Sequence, residues 1–310
     1  MGWSAWTNVP GEVDPRSFPP EVVCEVKAIA CELPVRLGVP LSRLHIPDIR
    51  AEVVRRGIVA EISGTTVWRW LSEDAIRPWA HRSWIFPRDP NFETKAAGVL
   101  DLYANEWEGQ KLGKRDFVIS ADEKTSIQAR QRVHPTLAGA PGRSTRVEFE
   151  YERAGACQYL AAWDVNRAKV FGRCEMKTGI EPFARLVDQV MSSEPYASAR
   201  RVFWVVDNGS SHRGRRSVDR PTQRWGNLVL VHVPVHASWL NQVEVYFSII
   251  QRKVLSPNDF EDLAEVASRL AAFERRYEEA ATPFEWKFTR DDLALLLKQL
   301  ADKDDYLLAA

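Results

Sequence analysis

The 310-residue chain has only four cysteines, three methionines and six histidines, and its formal net charge is zero. Cys24, Cys31, Cys157 and Cys174 lack zinc-type spacing and suit a reducing compartment as ordinary buried thiols. His232 and His236 stand four apart, but Pro234 lies between them. That proline removes the helix on which a zinc-binding pair at this spacing would sit. The two histidines read instead as structural or phosphate-side residues. No apolar run approaches the length of a membrane span, and no leader-like pattern opens the chain. A cytoplasmic protein with no membrane partner is therefore expected. Repeats and low-complexity segments are absent as well. The lack of net charge argues at first against a nucleic-acid partner.

The distribution of charge argues the other way. From Lys124 to Val147 there are five basic residues (Lys124, Arg130, Arg132, Arg143 and Arg146) and no acid. From Arg213 to Arg224 there are five arginines, Arg215 among them, against one aspartate. The tail from Glu261 holds twelve acids against seven bases, which cancels the total. Both basic clusters follow apolar segments that read as strands, so a phosphate-bearing substrate fits; solvated charged faces are the alternative. The rest of the composition, 45% hydrophobic and 27% charged, is that of a soluble globular protein of about two domains.

Residues 1–20 carry Trp3, Trp6 and four prolines without periodicity and read as irregular. A helix is predicted from Glu21 to about Leu33. In "IPDIRAEVVRRG" Pro47 marks a start, Ile49, Val53 and Val54 share a face, and Gly57 stops the helix. In "SGTTVWRWLSED" Ser63 is the N-cap, with Val67, Trp70 and Leu71 at helical spacing. Two short helices around a glycine turn make either a helix-turn-helix or a plain helical hairpin. In the first case Thr65, Thr66 and Arg69 lie on the outward face that reads a DNA groove. A further helix, capped by Asp89 and Pro90, carries Ala96, Val99, Leu100, Tyr103 and Trp107 as a core stripe.

Strands follow at "DFVISADEK", on both sides of the turn in "CQYLAAWDVNRAKVFGRC", at "RVFWVVD" and at "NLVLVHVP". A helix at "GIEPFARLVDQVMS" and one from Ser238 to Val254 complete the block. Three meandering strands, then helix–strand–helix–strand–helix, is the order of a ribonuclease H-like α/β domain with a mixed five-stranded sheet. Alternation sets Asp122 on the face of Val118 and Ser120, with Glu123 opposite. Asp207 ends a five-residue apolar run, where the chain leaves the sheet; taken alone, ordinary Asp-Asn-Gly turn chemistry is the preferred explanation, and convergence with other carboxylates decides. Glu244 borders the buried stripe Leu240, Val243, Phe247 and Ile250, or is only the polar edge of that helix. In such a sheet the first and fourth strands are neighbours and a later helix packs on them, so the three carboxylates meet. Together they require divalent cations. Hard oxygen ligands suit Mg²⁺ or Mn²⁺, and two ions fit an in-line phosphoryl displacement.

Asp122, "DNGSSH" from Asp207 to His212, and "HASWLNQVE" ending at Glu244 resemble the DDE signature of insertion-sequence transposases of the mariner superfamily. The 36 residues between Asp207 and Glu244 are close to that superfamily's short interval, and the likeness spans about 45–300. The resemblance implies Asp122, Asp207 and Glu244 as catalytic metal ligands and Asn208, His212 and Asn241 as accessory residues. For His212 a turn-capping role is an equal alternative. It also implies an N-terminal helix-turn-helix that grips transposon ends, and a TA target. The family usually carries two such units; one is readable here.

The expected enzyme is a DNA transposase acting on double-stranded transposon ends and target, as a homodimer assembled on DNA. Thr65, Thr66, Arg69, Arg143 and Arg215 would contact that DNA. The rival readings are a ribonuclease H-like nuclease or resolvase without strand transfer, and a non-enzymatic DNA-binding regulator or inactive remnant. The expected division is an irregular segment plus helix (1–34), a helix-turn-helix region (35–85), a linker with helix (86–112), the catalytic domain (113–256) and an acidic helical region (257–310).

Overall fold

Proline fits the first turn of a helix because its missing N–H would have no partner there. Both α1 (Pro20–Cys31) and α2 (Ile46–Arg55) open that way. The computed structural model describes residues 18–81, 87–209 and 221–308. They divide into two units, 1–85 and 86–310.

In the first unit α2 ends at Gly57, whose φ of +70° continues no helix. α3 (Gly64–Glu73) follows, capped by Ser63, whose hydroxyl oxygen accepts from Thr66 N at 3.1 Å. Val26 and Ile29 of α1, Ile49 and Val53 of α2, and Val67 and Leu71 of α3 share one core. Arg50 reaches from α2 to Ile62 O at 2.7 Å, and Lys27 pairs with Asp74 at 2.9 Å. Glu52 is buried and accepts from Arg55 and Arg56; these bonds hold its carboxyl at about 2. The α2–α3 pair fits a helix-turn-helix region. Two expectations fail here. Val54 is 44% exposed, because Ile49 and Val53 alone fill the inward face of so short a helix. Cys24 and Cys31 are exposed, since Val26, Ile29 and Ala30 take the buried side of α1.

The second unit is built on a five-stranded sheet in the order β5-β4-β3-β6-β7. Its strands are β3 (Asp116–Gln131), β4 (Glu152–Asp164), β5 (Val170–Glu175), β6 (Arg201–Val206) and β7 (Leu228–His232). β3, β4 and β5 run antiparallel; β6 and β7 join β3 in parallel. This is a ribonuclease H-like sheet. One face packs on α5 (Ile180–Met191) through Phe183, Leu186, Val187 and Val190. The other is covered by α4 (Phe92–Tyr103), α6 (Val243–Lys253) and α7 (Leu263–Glu278), with α8 (Arg290–Leu308) adding Leu293 to that core. The acidic tail therefore contributes packing as well as charge. Glu274 of α7 accepts from Tyr159 Oη at 2.8 Å, and a Cβ on Gly172 would come within 2.2 Å of both groups. Among the described residues no helix is long and apolar enough to cross a membrane.

Two details of α4 differ from the sequence expectation. The helix stops at Tyr103, and Asn105 turns the chain at φ 61°. Trp107 therefore lies in β1 (Glu106–Trp107), paired with β2 (Gln110–Lys111), and packs on Phe203 at 4.9 Å between ring centroids. Asn91, not Asp89, is the N-cap residue. Asp89 is instead a buried bridge. It accepts from Asn91 N at 3.0 Å, Lys95 Nζ at 2.8 Å and Val235 N at 2.9 Å, tying α4 to the loop after β7.

Lys95, with the backbone donors, holds the Asp89 carboxyl at about 2. A depressed folded-state pKa contributes stability above the unfolded value near 4, lost as pH falls through 2. Asp89→Asn is expected to lower unfolding free energy by about 1–3 kcal/mol at neutral pH. In urea melts the gap from the parent protein should narrow steadily between pH 4 and pH 2.

Candidate active site

Register brings Asp122 and Asp207 together. β3 and β6 pair in parallel from Asp116 opposite Arg201 to Ser120 opposite Val205. Asp122 and Asp207 each lie two residues beyond that last pair, Asp122 still within β3 and Asp207 directly after β6. Alternation gives both residues the face of Val118, Phe203 and Val205, which belong to the core under α6. The pairing is anchored where it begins. The buried Asp116 carboxylate accepts two bonds from Arg200, at 2.9 and 2.7 Å, two from Arg201, at 3.3 and 3.4 Å, and one from Gly113 N at 2.9 Å. Burial alone would push that carboxyl up, but the two arginines hold it far below the usual range.

Glu244 arrives through a buried polar junction. Ser120, one pleat before Asp122, donates its hydroxyl to Asn241 Oδ1 and accepts from Val243 N at 2.8 Å. Asn241 Nδ2 donates to Ala121 O at 2.9 Å. Tyr103 Oη donates to Leu240 O at 2.8 Å and accepts from Gln242 N at 3.3 Å. The segment before α6 is thus fastened to β3 and α4, and Glu244 follows in the first turn, where the helix dipole favours a negative charge. Ser238 is not its N-cap. Ser238–Leu240 form a separate 3₁₀ turn and Asn241 is extended, at φ −85° and ψ 110°, because its side chain bonds β3.

Burial raises the Glu244 carboxyl above its usual range; the Lys124 charge opposes this and the Asp207 charge adds to it. Asp207 and Glu244 therefore already act on one another. Asp207 Oδ1 accepts from Gly209 N at 2.8 Å, so the turn chemistry of Asp-Asn-Gly is present as well. A Cβ on Gly209 would lie 2.8 Å from that oxygen. Asp122 Oδ1 accepts from Glu123 N at 2.7 Å. Among the described residues no three histidine, cysteine or acidic side chains form a closed metal-holding group. Of the three carboxylates, Asp207 and Glu244 act on one another through charge. Their donors are nonetheless hard oxygens, and the charge they concentrate is what a divalent cation relieves, so the residues fit Mg²⁺ or Mn²⁺.

Asn208 fastens the Asp207 loop to the end of β7, with Nδ2 donating to Val233 O at 2.5 Å. His212 and Arg215 lie outside the described residues. Thr65 and Arg69 are exposed on α3, while Thr66 bonds Ser63 within the cap. Trp68, which sequence reasoning passed over, is 55% exposed beside Arg69. The basic stretch 124–147 does not act as one surface. Arg132 is buried, donating to Glu148 O at 2.7 Å and to Asn258 O, and Arg130 stacks on Tyr151 at 4.6 Å. Arg143 and Arg146 are exposed on the excursion between β3 and β4. Ser120 and Tyr103 were also missed as site builders. A hydroxyl inside an apolar strand, two residues before a carboxylate, was the available signal.

Ser120→Ala would leave Asn241 Oδ1 and Val243 N buried without this partner, at a cost of about 1–3 kcal/mol. Thermal melts should show that loss. Ser120→Cys, which retains a weak donor, should recover part of it; full stability in the alanine variant would remove the junction from this account.

Residues 118–267 match the family model described as DDE superfamily endonuclease. None of the curated proteins compared with the chain matches it in sequence. Among solved structures, the chain is similar to the Mos1 mariner paired-end complex with Mn, at 15% identity and a TM-score of 0.54, covering 94% of this chain and 82% of that one. The Mos1 transposase paired-end complex with left transposon end gives 13% identity and a TM-score of 0.53, over 93% and 80% of the two chains. The corresponding complex with Mg gives 13% and 0.52, over 95% and 83%. The matched segment 118–267 carries Asp122 on β3, Asp207 after β6 and Glu244 in α6, so this part of the chain is similar to DDE superfamily endonucleases, and the chain has the fold of the Mos1 mariner transposase structures.

Proposed function

We propose that the chain is a DNA transposase that cuts transposon ends and joins them to target DNA, at TA. The observation that carries this reading is the level placement of Asp122 and Asp207 on one sheet face, with Glu244 fastened beside them. The first displacement breaks a phosphorus–oxygen bond at the transposon end. Water attacks phosphorus, and the 3′ oxygen leaves as a hydroxyl on the end. In the second, that 3′-hydroxyl attacks a target phosphodiester and displaces the target's own 3′ oxygen. Asp122, Asp207 and Glu244 would hold Mg²⁺ or Mn²⁺, two ions in this reading. Such ions, when bound, supply Lewis-acid stabilisation of the attacking and leaving oxygens. The protein's own part is positional: β3 and β6 fix two carboxylates, and Ser120 and Asn241 fix the third.

The Mos1 structures of similar fold are paired-end complexes, one with the left transposon end and others with Mn or Mg. They support DNA as the partner here, and a homodimer on paired ends. Thr65 and Arg69, with Trp68 beside them, would read the ends, while Thr66 serves the cap. Arg143 and Arg215 would bind phosphates.

Asp122→Asn, Asp207→Asn and Glu244→Gln are each expected to cut Mg²⁺-dependent cleavage by at least about a thousandfold, since each removes a ligand charge. Pre-cleaved duplexes from inverted repeats flanking the gene, mixed with a TA-rich plasmid and Mg²⁺, should be joined covalently. A dideoxy 3′ end should block joining and spare binding. Hydrolysis without joining, across several candidate ends, would replace transposase by nuclease.

A second expectation concerns the helix pair. Arg69→Ala should weaken binding to matched ends by about 1–3 kcal/mol and relax discrimination at one base pair. Gel shifts on matched and scrambled ends measure both. Equal loss on the two sequences would make α3 a packing element.

A further inference from the structure

β3 runs beyond the three carboxylates, and there its pairing with β4 is irregular. The register shifts between Lys124 and Ile127, and Ser126 takes a φ of 59°. Gln158 Oε1 holds that strained residue by accepting from Ser126 N at 2.9 Å. Bulges of this kind re-aim side chains beside functional sites. Here the consequence is that two successive residues, Thr125 and Ser126, are both exposed. With Lys124 they form one wall of a groove of about 190 Å³, and Gln251 and Asn258 line the other side.

The far wall is already satisfied from within the protein. Asn258 accepts from Arg130 N at 3.1 Å and donates to Gln128 O at 2.6 Å, and Gln251 donates to Ser256 Oγ at 3.0 Å. No carboxylate lines the groove. Among the described residues the Lys124 ammonium and the Thr125 and Ser126 hydroxyls make no hydrogen bond, although Lys124 stands close enough to Glu244 for its charge to act there. One cation and two hydroxyls without internal partners, in a groove lined by no carboxylate, suit an anion. Lys124 lies two residues past Asp122, ~7 Å along the strand.

We infer that this groove is a phosphodiester subsite, in which Lys124, Thr125 and Ser126 bind the DNA phosphate next to the one being cut. The inference rests on the transposase reading and adds a substrate contact to it. Lys124 would set the path of the strand through the site by charge and hydrogen bonding, and the bulge would aim the two hydroxyls at the same phosphate.

The test uses the full chain and Mn²⁺-dependent nicking of supercoiled plasmid. Lys124→Gln should raise KM for plasmid about tenfold, the loss of one charge-assisted hydrogen bond, with a much smaller change in kcat. Lys124→Arg should restore KM. Ser126→Gly, which tolerates the positive φ, should raise KM several-fold without lowering the melting temperature. In a parallel arm, anisotropy of a labelled duplex without divalent metal, across a salt series, should show the logarithmic slope reduced by about 0.9 in Lys124→Gln. A fall in kcat at constant KM, or an unchanged slope, would overturn the subsite and leave Lys124 as a neighbour of Glu244. If the parent protein nicks no plasmid, the transposase reading fails by itself. The anisotropy arm then still decides whether this groove holds phosphate.

Discussion

Everything proposed for this molecule depends on the register of β3 against β6. A strand has a side-chain period of two, so a slip of one residue would carry Asp122 to the opposite face, where α5 packs. The apolar patterns of the two strands already disfavour that slip. Ile119 and Ala121 would exchange places with Val118 and Ser120, and the two cores on either face would be mismatched. Asp116 makes the same choice electrostatically, since its buried carboxylate must meet Arg200 and Arg201 at the first pair of the ladder. A charge sequestered from water without those partners would be costly. Six residues before the first candidate ligand, then, an ion pair with no chemical role fixes where the chemistry is placed.

The second constraint is polar and deeply buried. Ser120 and Asn241 are inaccessible to solvent, and in a low-dielectric setting their bonds are strong when made and expensive when missing. They let a helix from late in the chain deliver its acid to the same point on every molecule. The remaining arrangement is less closed. Asp122 and Asp207 each turn an oxygen toward a neighbouring backbone N–H, and the Asp207 charge adds to the rise of the Glu244 carboxyl.

Much of this is legible in the sequence. Unalternated apolar runs such as Val202–Val206 read as buried strands, and the turn residues after them placed Asp207 at a strand end. Ser63 read as an N-cap and is one. The failures share a cause, which is that long-range contacts override local signals. Ser238 has the chemistry of a cap, yet Asn241 bonds β3 and delays the helix to Val243. Trp107 continues a helical period on paper, but its contact is with Phe203 across the sheet. Arg132 counts as surface charge in the sequence and is an internal brace in the fold. The bulge at Ser126 has no signature in "EKTSIQ", because the glutamine that stabilises it comes from another strand.

Asp89 bears on where the larger unit can be cut. Its carboxylate is far in sequence from the loop it holds, 146 positions before Val235. Tyr103, at the end of the helix that follows Asp89, braces the residues leading to Glu244. The segment that looks like a connector on the way to the sheet is therefore a structural wedge beneath the third acid. A fragment trimmed to begin at β3 would retain all three carboxylates and every strand of the five-stranded sheet. It would also uncover part of the core that α4 joins, and it would release the segment before Glu244 from Tyr103 and Asp89, leaving only its bonds to β3. Such a fragment would be a poor surrogate for the whole unit, and the shortest sound boundary lies upstream of Asp89.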